Sequence, residues 1–285
     1  MTVSIYIPTK DRAASLRRAV DSVLKQTHRE LELIVVDDGS VDATRHYLDG
    51  LQLDDDRVRV IRNDSPQGAP RARNLAIRTA RGEFITGLDD DDCFHEERIQ
   101  ALLQRWRELE ASGTRCSGLY TQDLILQGPA GSVSAKIARV EYEDLFFHNS
   151  IGNQIFTRRE YLLEAGMFDE QMPAWQDLDT FMRLVQRFGP AHLLDRPLYL
   201  LDLAPRPDRI SVGSKQRILS AYRRLLARLG EHPPVLKQGL FLQVFGRLYG
   251  FRFETADLRE FLRYGIHTRT LWILGGVILR QAGLR

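Results

Sequence analysis

The first part of the chain alternates between short, nearly continuous apolar runs and longer stretches whose apolar residues recur three and four apart. Val3-Ser4-Ile5-Tyr6-Ile7-Pro8 predicts a buried strand. Residues 12–26 follow as a helix, with Leu16, Ala19, Val20, Val23 and Leu24 on one face. The alternation repeats through strand 31–36 and helix 42–48, strand 58–61 and helix 69–80, then strand 83–88 and helix 95–112. Strands that are apolar throughout and separated by helices imply a mostly parallel sheet covered on both faces, an α/β fold. Ligands of such sheets bind beyond the carboxyl ends of the strands. Thr9, Asp38 and the run Asp89-Asp90-Asp91-Asp92 all fall at such ends. No G-x-G-x-x-G follows the first strand, so the dinucleotide fingerprint is absent.

Beyond Ser112 the period changes. Residues 119–121 and 124–126 predict strand, 127–131 a Gly/Pro turn and 133–140 a return strand, a hairpin or mixed-sheet region. A short helix is expected at 141–148, a short strand at 154–156, and a helix at 158–165 ended by Gly166. Residues 175–188 are amphipathic, with Leu178, Phe181, Met182 and Val185 on one face, and Gly189-Pro190 ends them. In the tail, Ile218, Tyr222, Leu225, Leu226 and Leu229 keep helical spacing among arginines. The expected organisation is a domain of residues 1–205, with halves 1–112 and 113–205, and a helical basic extension, 206–285.

The charge distribution sharpens that division. The 285 residues carry a formal net charge of +2, yet from Arg206 onward 15 basic residues face 5 acidic ones. A basic tail on an acidic body suggests a phosphate-bearing partner: a membrane surface, a nucleic acid or an anionic glycolipid. Leu271 to Leu279 is an apolar run between Arg269 and Arg280. It is too short to span a bilayer, but suits an interfacial anchor with a tryptophan at headgroup level. Packing on the preceding domain or a homodimer interface is the alternative. Cys93 and Cys116 offer no disulfide framework, which points to a reducing compartment. The chain enters its first strand without a basic leader, so a cytoplasmic location is expected.

Four consecutive aspartates at a strand end repel one another and need solvent, a basic partner or a cation. Hard oxygen donors suit Mg²⁺ or Mn²⁺, which takes one or two carboxylates together with substrate phosphates. The competing reading is a solvated acidic turn with Asp92 near a helix N-terminus. Asp54-Asp55-Asp56 is an internal control: it follows no apolar strand and has the character of a surface loop.

Five local patterns occur in order. They are Ile7-Pro8-Thr9-Lys10-Asp11-Arg12, Val36-Asp37-Asp38-Gly39-Ser40, Gly68-Ala69-Pro70-Arg71-Ala72-Arg73-Asn74, Leu88-Asp89-Asp90-Asp91-Asp92, and Gly166-Met167-Phe168-Asp169-Glu170 followed by Trp175-Gln176-Asp177-Leu178-Asp179. Over roughly the first 200 residues the chain resembles the family 2 glycosyltransferases, inverting enzymes of the Rossmann-like GT-A fold that build bacterial surface polysaccharides. The resemblance implies a nucleotide-sugar donor, most often UDP-linked, a glycan or glycolipid acceptor, and Mn²⁺ or Mg²⁺. It implies that Pro8, Thr9, Asp11 and Arg12 line the nucleotide pocket and that Asp38 accepts from the base. Arg71 and Arg73 would lie near the ribose or diphosphate, with Asp89 and Asp90 also among the donor-binding residues. Asp91 is implied as the metal ligand, with Asp89 and Asp92 beside it. Asp177 is implied as the base that takes the acceptor's proton in a direct displacement; the competing reading is a helix cap.

Two departures stand out. The family often has Glu-Asp where this chain has Gln176-Asp177, which leaves Asp177 alone in the role. No histidine occurs between His192 and His232, where many members carry one; Arg206, Arg209 and Ser211 stand there instead, as diphosphate contacts or as an ordinary basic loop. The rivals are a sugar-phosphate nucleotidyltransferase and a catalytically silent glycan- or lipid-binding scaffold. The first would show a Gly-rich basic loop after the first strand, and the second would have lost the carboxylates. A nucleic-acid partner lacks a motif and an aromatic platform.

Overall fold

The computed structural model describes residues 1–126, 131–202, 214–247 and 249–283. Arg206, Arg209, Ser211 and the expected boundary at 205/206 lie outside the described residues. The chain forms two compact units. Met1–Glu141, Ser150–Glu170 and Thr180–Ala204 make the first; Tyr142–Asn149, Gln171–Asp179 and Pro205–Arg285 make the second.

In the first unit β1 (Val3–Thr9), α1 (Ala13–Leu24), β2 (Leu31–Asp37), α2 (Thr44–Asp54), β3 (Val58–Arg62), α3 (Ala69–Thr79) and β4 (Phe84–Gly87) alternate as the apolar pattern requires. All seven residues of β2 are buried, which is why its sequence has no polar-out alternation. The strands order as β3-β2-β1-β4 in parallel, and β9 (Thr157–Arg158) closes the β4 edge antiparallel. The mostly parallel α/β sheet expected from the pattern is present.

A second sheet follows, in the order β5 (Cys93–Phe94), β10 (Ala191–Leu201), β6 (Gly118–Ile125), β7 (Ser132–Val133), with β8 (Arg139–Val140) paired to β10. Its central strand β10 has no counterpart in the sequence reading. Asp195-Arg196-Pro197 interrupts the apolar pattern, and the β10–β6 register shifts on either side of Pro197, which has no N–H to give the ladder. The expected return strand 133–140 is reduced to β7 and β8. Beyond β7 the Ser134 N–H still donates to the Asp123 carbonyl at 2.9 Å, but the Ser134 hydroxyl and the Lys136 N–H turn to the Gln122 side chain, and the Lys136 ammonium lies 2.7 Å from the Asp123 carboxylate. Helix α4 begins at Arg98, not His95, and runs to Ala111, because residues 93–94 are used by β5. Helix α5 is Arg159–Glu164, and α6 is Gln176–Phe188.

The second unit contains a single-turn 3-10 helix (Tyr142–Phe146), α7 (Lys215–Leu229), α8 (Pro234–Leu242), α9 (Thr255–Leu262) and α10 (Thr268–Gln281). Its core is aromatic: Phe241 meets Tyr222, Phe245 and Phe253 at centroid distances of 5.4, 5.4 and 6.5 Å. Buried Gln238 donates to the carbonyls of Phe261 and Gly265 and accepts from the Thr270 hydroxyl, so its amide is satisfied inside that core. Among the described residues no helix is long and apolar enough to cross a membrane.

The first unit's core is anchored where the sheets meet. Phe84 stacks on Phe156 at 5.2 Å, Trp106 packs edge-on to Phe84 at 5.1 Å, and Phe156 also bridges to Leu119 of β6. Truncating a fully buried aromatic loses transfer energy and leaves a cavity, so Phe156→Ala is expected to cost about 3–5 kcal/mol. Urea unfolding checks this; a cost below about 1 kcal/mol would show that the two sheets do not depend on that ring.

Candidate active site

Strand order reverses between β1 and β4, so a crevice opens beyond their carboxyl ends. The backbone carries β4 one residue further, where the Leu88 N–H donates to the Tyr6 carbonyl at 2.9 Å and delivers the aspartates to that crevice. Gly87 is required there. A Cβ would collide with the Gln154 side-chain oxygen and stand 2.7 Å from a Tyr6 ring carbon.

The four carboxylates have different surroundings. Asp90 is buried; it accepts from the Thr9 hydroxyl at 2.7 Å and from Arg12 at 3.2 Å. Burial, reinforced by the Asp91 and Asp89 charges, pushes its pKa up to about 6 despite those donors. Asp92 is buried as well, and accepts from the Tyr199 hydroxyl at 2.8 Å, Asn153 at 3.2 Å and the Asp202 backbone N–H at 3.0 Å. Burial, then Asp89 and Asp91, raise it to about 8. Asp89 accepts from Arg73 at 3.1 Å, Asn153 at 2.8 Å and Gln154 at 3.0 Å. Asp91 meets Arg12 at 3.2 Å and keeps 16% of its side chain exposed, against 26% for Asp89.

The loops after β1 and β2 are tied to each other. Asp11 has a left-handed backbone, φ 54°; its N–H donates to the Ser40 hydroxyl at 2.9 Å, and its carboxylate accepts from the Val41 N–H at 2.7 Å. Asp38 accepts from Asn63 at 2.7 Å and from the backbone N–H groups of Gln67 and Gly68 at 2.8 and 2.7 Å, which fixes the entry to α3. Pro8 is half-buried and pairs with Val36 across β1 and β2. Arg73 is buried over the Phe168 ring, while Arg71 is exposed and bonds Gln67 at 2.9 Å. Thr9, Arg12, Arg73 and Asp89 to Asp92 are therefore one bonded cluster; Asp11 and Asp38 organise the loops beside it; Arg71 stands on the exposed start of α3.

Three members of the cluster were not singled out from the sequence: Asn153, Gln154 and Tyr199. Nothing in their local pattern marks them, and Tyr199 lies on the unanticipated β10. Behind it sits Arg98, fully buried, with its guanidinium 4.8 Å from the Phe94 ring and 5.1 Å from the Tyr199 ring.

In the second unit Asp177 and Asp179 both belong to the first turn of α6. Asp179 is fully buried and paired with Arg228. Asp177 is half-buried, and because the helix already begins at Gln176 it lies inside the first turn. Beside it the Trp175 indole N–H donates to the Tyr249 hydroxyl at 2.9 Å, and burial followed by the Asp177 charge raises the Tyr249 pKa.

Among the described residues no group of three or more His, Cys, Asp or Glu side chains is arranged to hold a metal ion. The donors at the crevice are hard oxygens, and the two less buried carboxylates, Asp89 and Asp91, match an ion that completes its shell with phosphate oxygens and water. The cluster fits Mg²⁺ or Mn²⁺ on that basis.

Residues 4–166 match the family described as Glycosyl transferase family 2, and the chain belongs to that family. It is 34% identical over 219 residues to the putative colanic acid biosynthesis glycosyl transferase WcaA of Escherichia coli K12, covering 75% of this chain and 77% of that one. It is 29% identical over 170 residues to the GalNAc(5)-diNAcBac-PP-undecaprenol beta-1,3-glucosyltransferase of Campylobacter jejuni, over 59% of this chain and 55% of the relative. The S. aureus TarS 1–349 structure in complex with UDP-GlcNAc superposes with a TM-score of 0.68 at 16% identity, over 93% of this chain and 79% of that one, which shows the fold. The fold is GT-A, and the chain is a glycosyltransferase of family 2.

The raised carboxyls make stability pH-dependent. Asp90 and Asp92 hold protons to about 6 and about 8 in the native state, against 3.8 for an ordinary aspartate. Between those limits the native state binds more protons than the unfolded chain, so their contribution to unfolding free energy falls as pH rises. Urea midpoints of metal-free protein should drop from pH 5 to pH 8, and Asp92→Asn should flatten the drop. A wild-type slope equal to that of the variant would contradict this account.

Proposed function

We propose that the chain is a metal-dependent inverting glycosyltransferase that moves a sugar from a UDP-linked donor to a glycan or lipid-linked acceptor of a cell-surface polysaccharide. The observation that carries the reading is the carboxylate cluster knitted to Thr9, Arg12 and Arg73 at the β1/β4 crevice of a family 2 member. UDP is favoured because the fold neighbour TarS was solved with UDP-GlcNAc; a lipid-linked acceptor is favoured by the undecaprenol diphosphate named for the Campylobacter relative. An acceptor of that kind would bring the enzyme to the inner face of the cytoplasmic membrane.

The surroundings support the following residue roles. Pro8, Thr9, Asp11 and Arg12 wall the nucleotide side. Asp38 carries one donor on Oδ2, which leaves that oxygen able to accept the N–H of a base. Arg73 and Arg71 offer cationic N–H groups to ribose or diphosphate oxygens. Asp91, with Asp89, would hold Mn²⁺ or Mg²⁺, and a bound divalent ion supplies charge stabilisation to a leaving diphosphate. Asp90 and Asp92 keep the run folded through Thr9, Tyr199 and the Asp202 N–H. Asp177 removes the acceptor hydroxyl's proton as its oxygen attacks opposite the leaving group. Burial and the Arg228 pairing of Asp179 support Asp177 over its neighbour for that task.

Asp91→Asn should weaken UDP binding in Mn²⁺ while the fold survives; equal UDP affinity with and without EDTA, by calorimetry, would remove the metal from the reading. Asp177→Asn keeps the shape and removes the basicity. It should lower turnover by at least about a hundredfold, within the usual range for base catalysis, and leave UDP affinity nearly unchanged. Asp179→Asn should lower the melting temperature and leave turnover per folded molecule much closer to wild type. Near-normal turnover in Asp177→Asn would put the base elsewhere.

A further inference from the structure

Helix α10 (Thr268–Gln281) presents two apolar faces, and the second unit uses only one of them. Thr270, Leu274 and Val277, four and three residues apart, are its buried positions. At about 100° per residue, Ile278, Leu271, Leu279 and Trp272 cover a separate stripe about 120° wide. They are 50, 41, 52 and 84% exposed respectively. Within that arc stand only Gly275 and Thr268, so no charge interrupts the stripe. Arg269 and Arg280 are eleven residues apart, which returns them to nearly the same angle, just beyond Trp272. Arg269 is held there with its guanidinium 3.6 Å from the centre of the Phe147 ring. Arg280 extends from the last turn. The helix contains no acidic residue.

An exposed tryptophan in an apolar stripe, bordered on one edge by arginines, is suited to the boundary between acyl chains and headgroups. The helix is about 21 Å long at 1.5 Å per residue, shorter than a bilayer's hydrocarbon core. It would therefore lie along the membrane plane. Charge decides between a membrane and a second copy of the chain. From Lys215 through Gly283 there are 12 basic and 4 acidic residues, so apposing two copies of this unit would bring like charges together, whereas an anionic lipid surface is complementary.

We propose that α10 docks the chain on an anionic bilayer. Leu271, Trp272, Ile278 and Leu279 enter the acyl boundary, and the arginine edge faces the phosphates. The inference goes beyond the transferase reading, because binding to a vesicle requires neither donor nor acceptor. The test is flotation of the full chain with vesicles of phosphatidylglycerol and phosphatidylcholine, compared with phosphatidylcholine alone. The intact chain should float with the anionic vesicles, and Trp272 fluorescence should be quenched by lipids brominated on the acyl chain. Trp272→Ser combined with Leu279→Ser should reduce partitioning at least about tenfold, given the apolar area withdrawn from the lipid. Arg280→Glu should reduce binding to the anionic vesicles and not to phosphatidylcholine. All three positions are exposed, so melting temperatures should match wild type. An intact chain that does not float, or variants that float equally well, would overturn the proposal. So would a dimer in sedimentation velocity that the Trp272/Leu279 double variant converts to monomer, since the face would then belong to a second copy.

Discussion

Four aspartates in one turn at the end of a parallel strand are the constraint on which the first unit depends. Coulomb repulsion at such separations would expel the turn into solvent, and the structure instead buries half of it. It does so by treating the carboxylates unequally. Asp90 and Asp92 point inward to hydroxyl and N–H donors, with pKa values raised to about 6 and about 8. Asp89 and Asp91 keep their exposure and face Arg73 and Arg12. A turn built this way has fixed carboxylates on its outer side without four full negative charges on its inner side.

The arrangement extends into the second sheet. Tyr199 can donate to Asp92 only because β10 runs beside β5 and β6, and the Tyr199 ring is backed by the Arg98 guanidinium. Burial lowers the Arg98 pKa to about 10, so it remains a cation at neutral pH. A buried cation normally requires a carboxylate partner. Here two aromatic faces and the Thr121 hydroxyl surround the guanidinium, and the Asp123 charge acts on it in the stabilising direction. Removing charge at Arg98 would therefore be felt at the acidic turn through Tyr199, although Arg98 itself does not reach the crevice.

This explains what the sequence could and could not disclose. The β3-β2-β1-β4 half was legible because β1, β2 and β4 bury both faces and the helices between repeat their apolar residues at helical spacing, so local pattern and tertiary environment agree. The acidic run was legible for the same reason: it follows an unambiguous strand. Asn153, Gln154 and Tyr199 were not legible, since their importance comes from the end of β4 approaching two segments more than 60 residues distant in sequence. β10 was obscured by Asp195-Arg196-Pro197, and its irregular register around Pro197 is the structural counterpart of that broken pattern. In α6, composition presents Asp177 and Asp179 alike, and only the structure shows that Asp179 is the enclosed one, paired with Arg228.

The other acidic run, Asp54-Asp55-Asp56, shows why position outweighs composition. Asp54 ends α2 among exposed residues, and Asp55 turns back to Arg57 with an ion pair of 2.6 Å. The hydrogen bond from Arg57 outweighs what little burial there is, and Asp55 is held below the ordinary aspartate value. At Asp90 and Asp92 burial outweighs the donors, and the shift is upward. Asp55 thus shifts in the opposite direction from Asp90 and Asp92, because it lies on a helix end in water and they lie on a strand end inside a sheet. A positive charge beside Asp90 and Asp92 stabilises the ionised form that burial disfavours, so this turn favours a cationic neighbour over a neutral one.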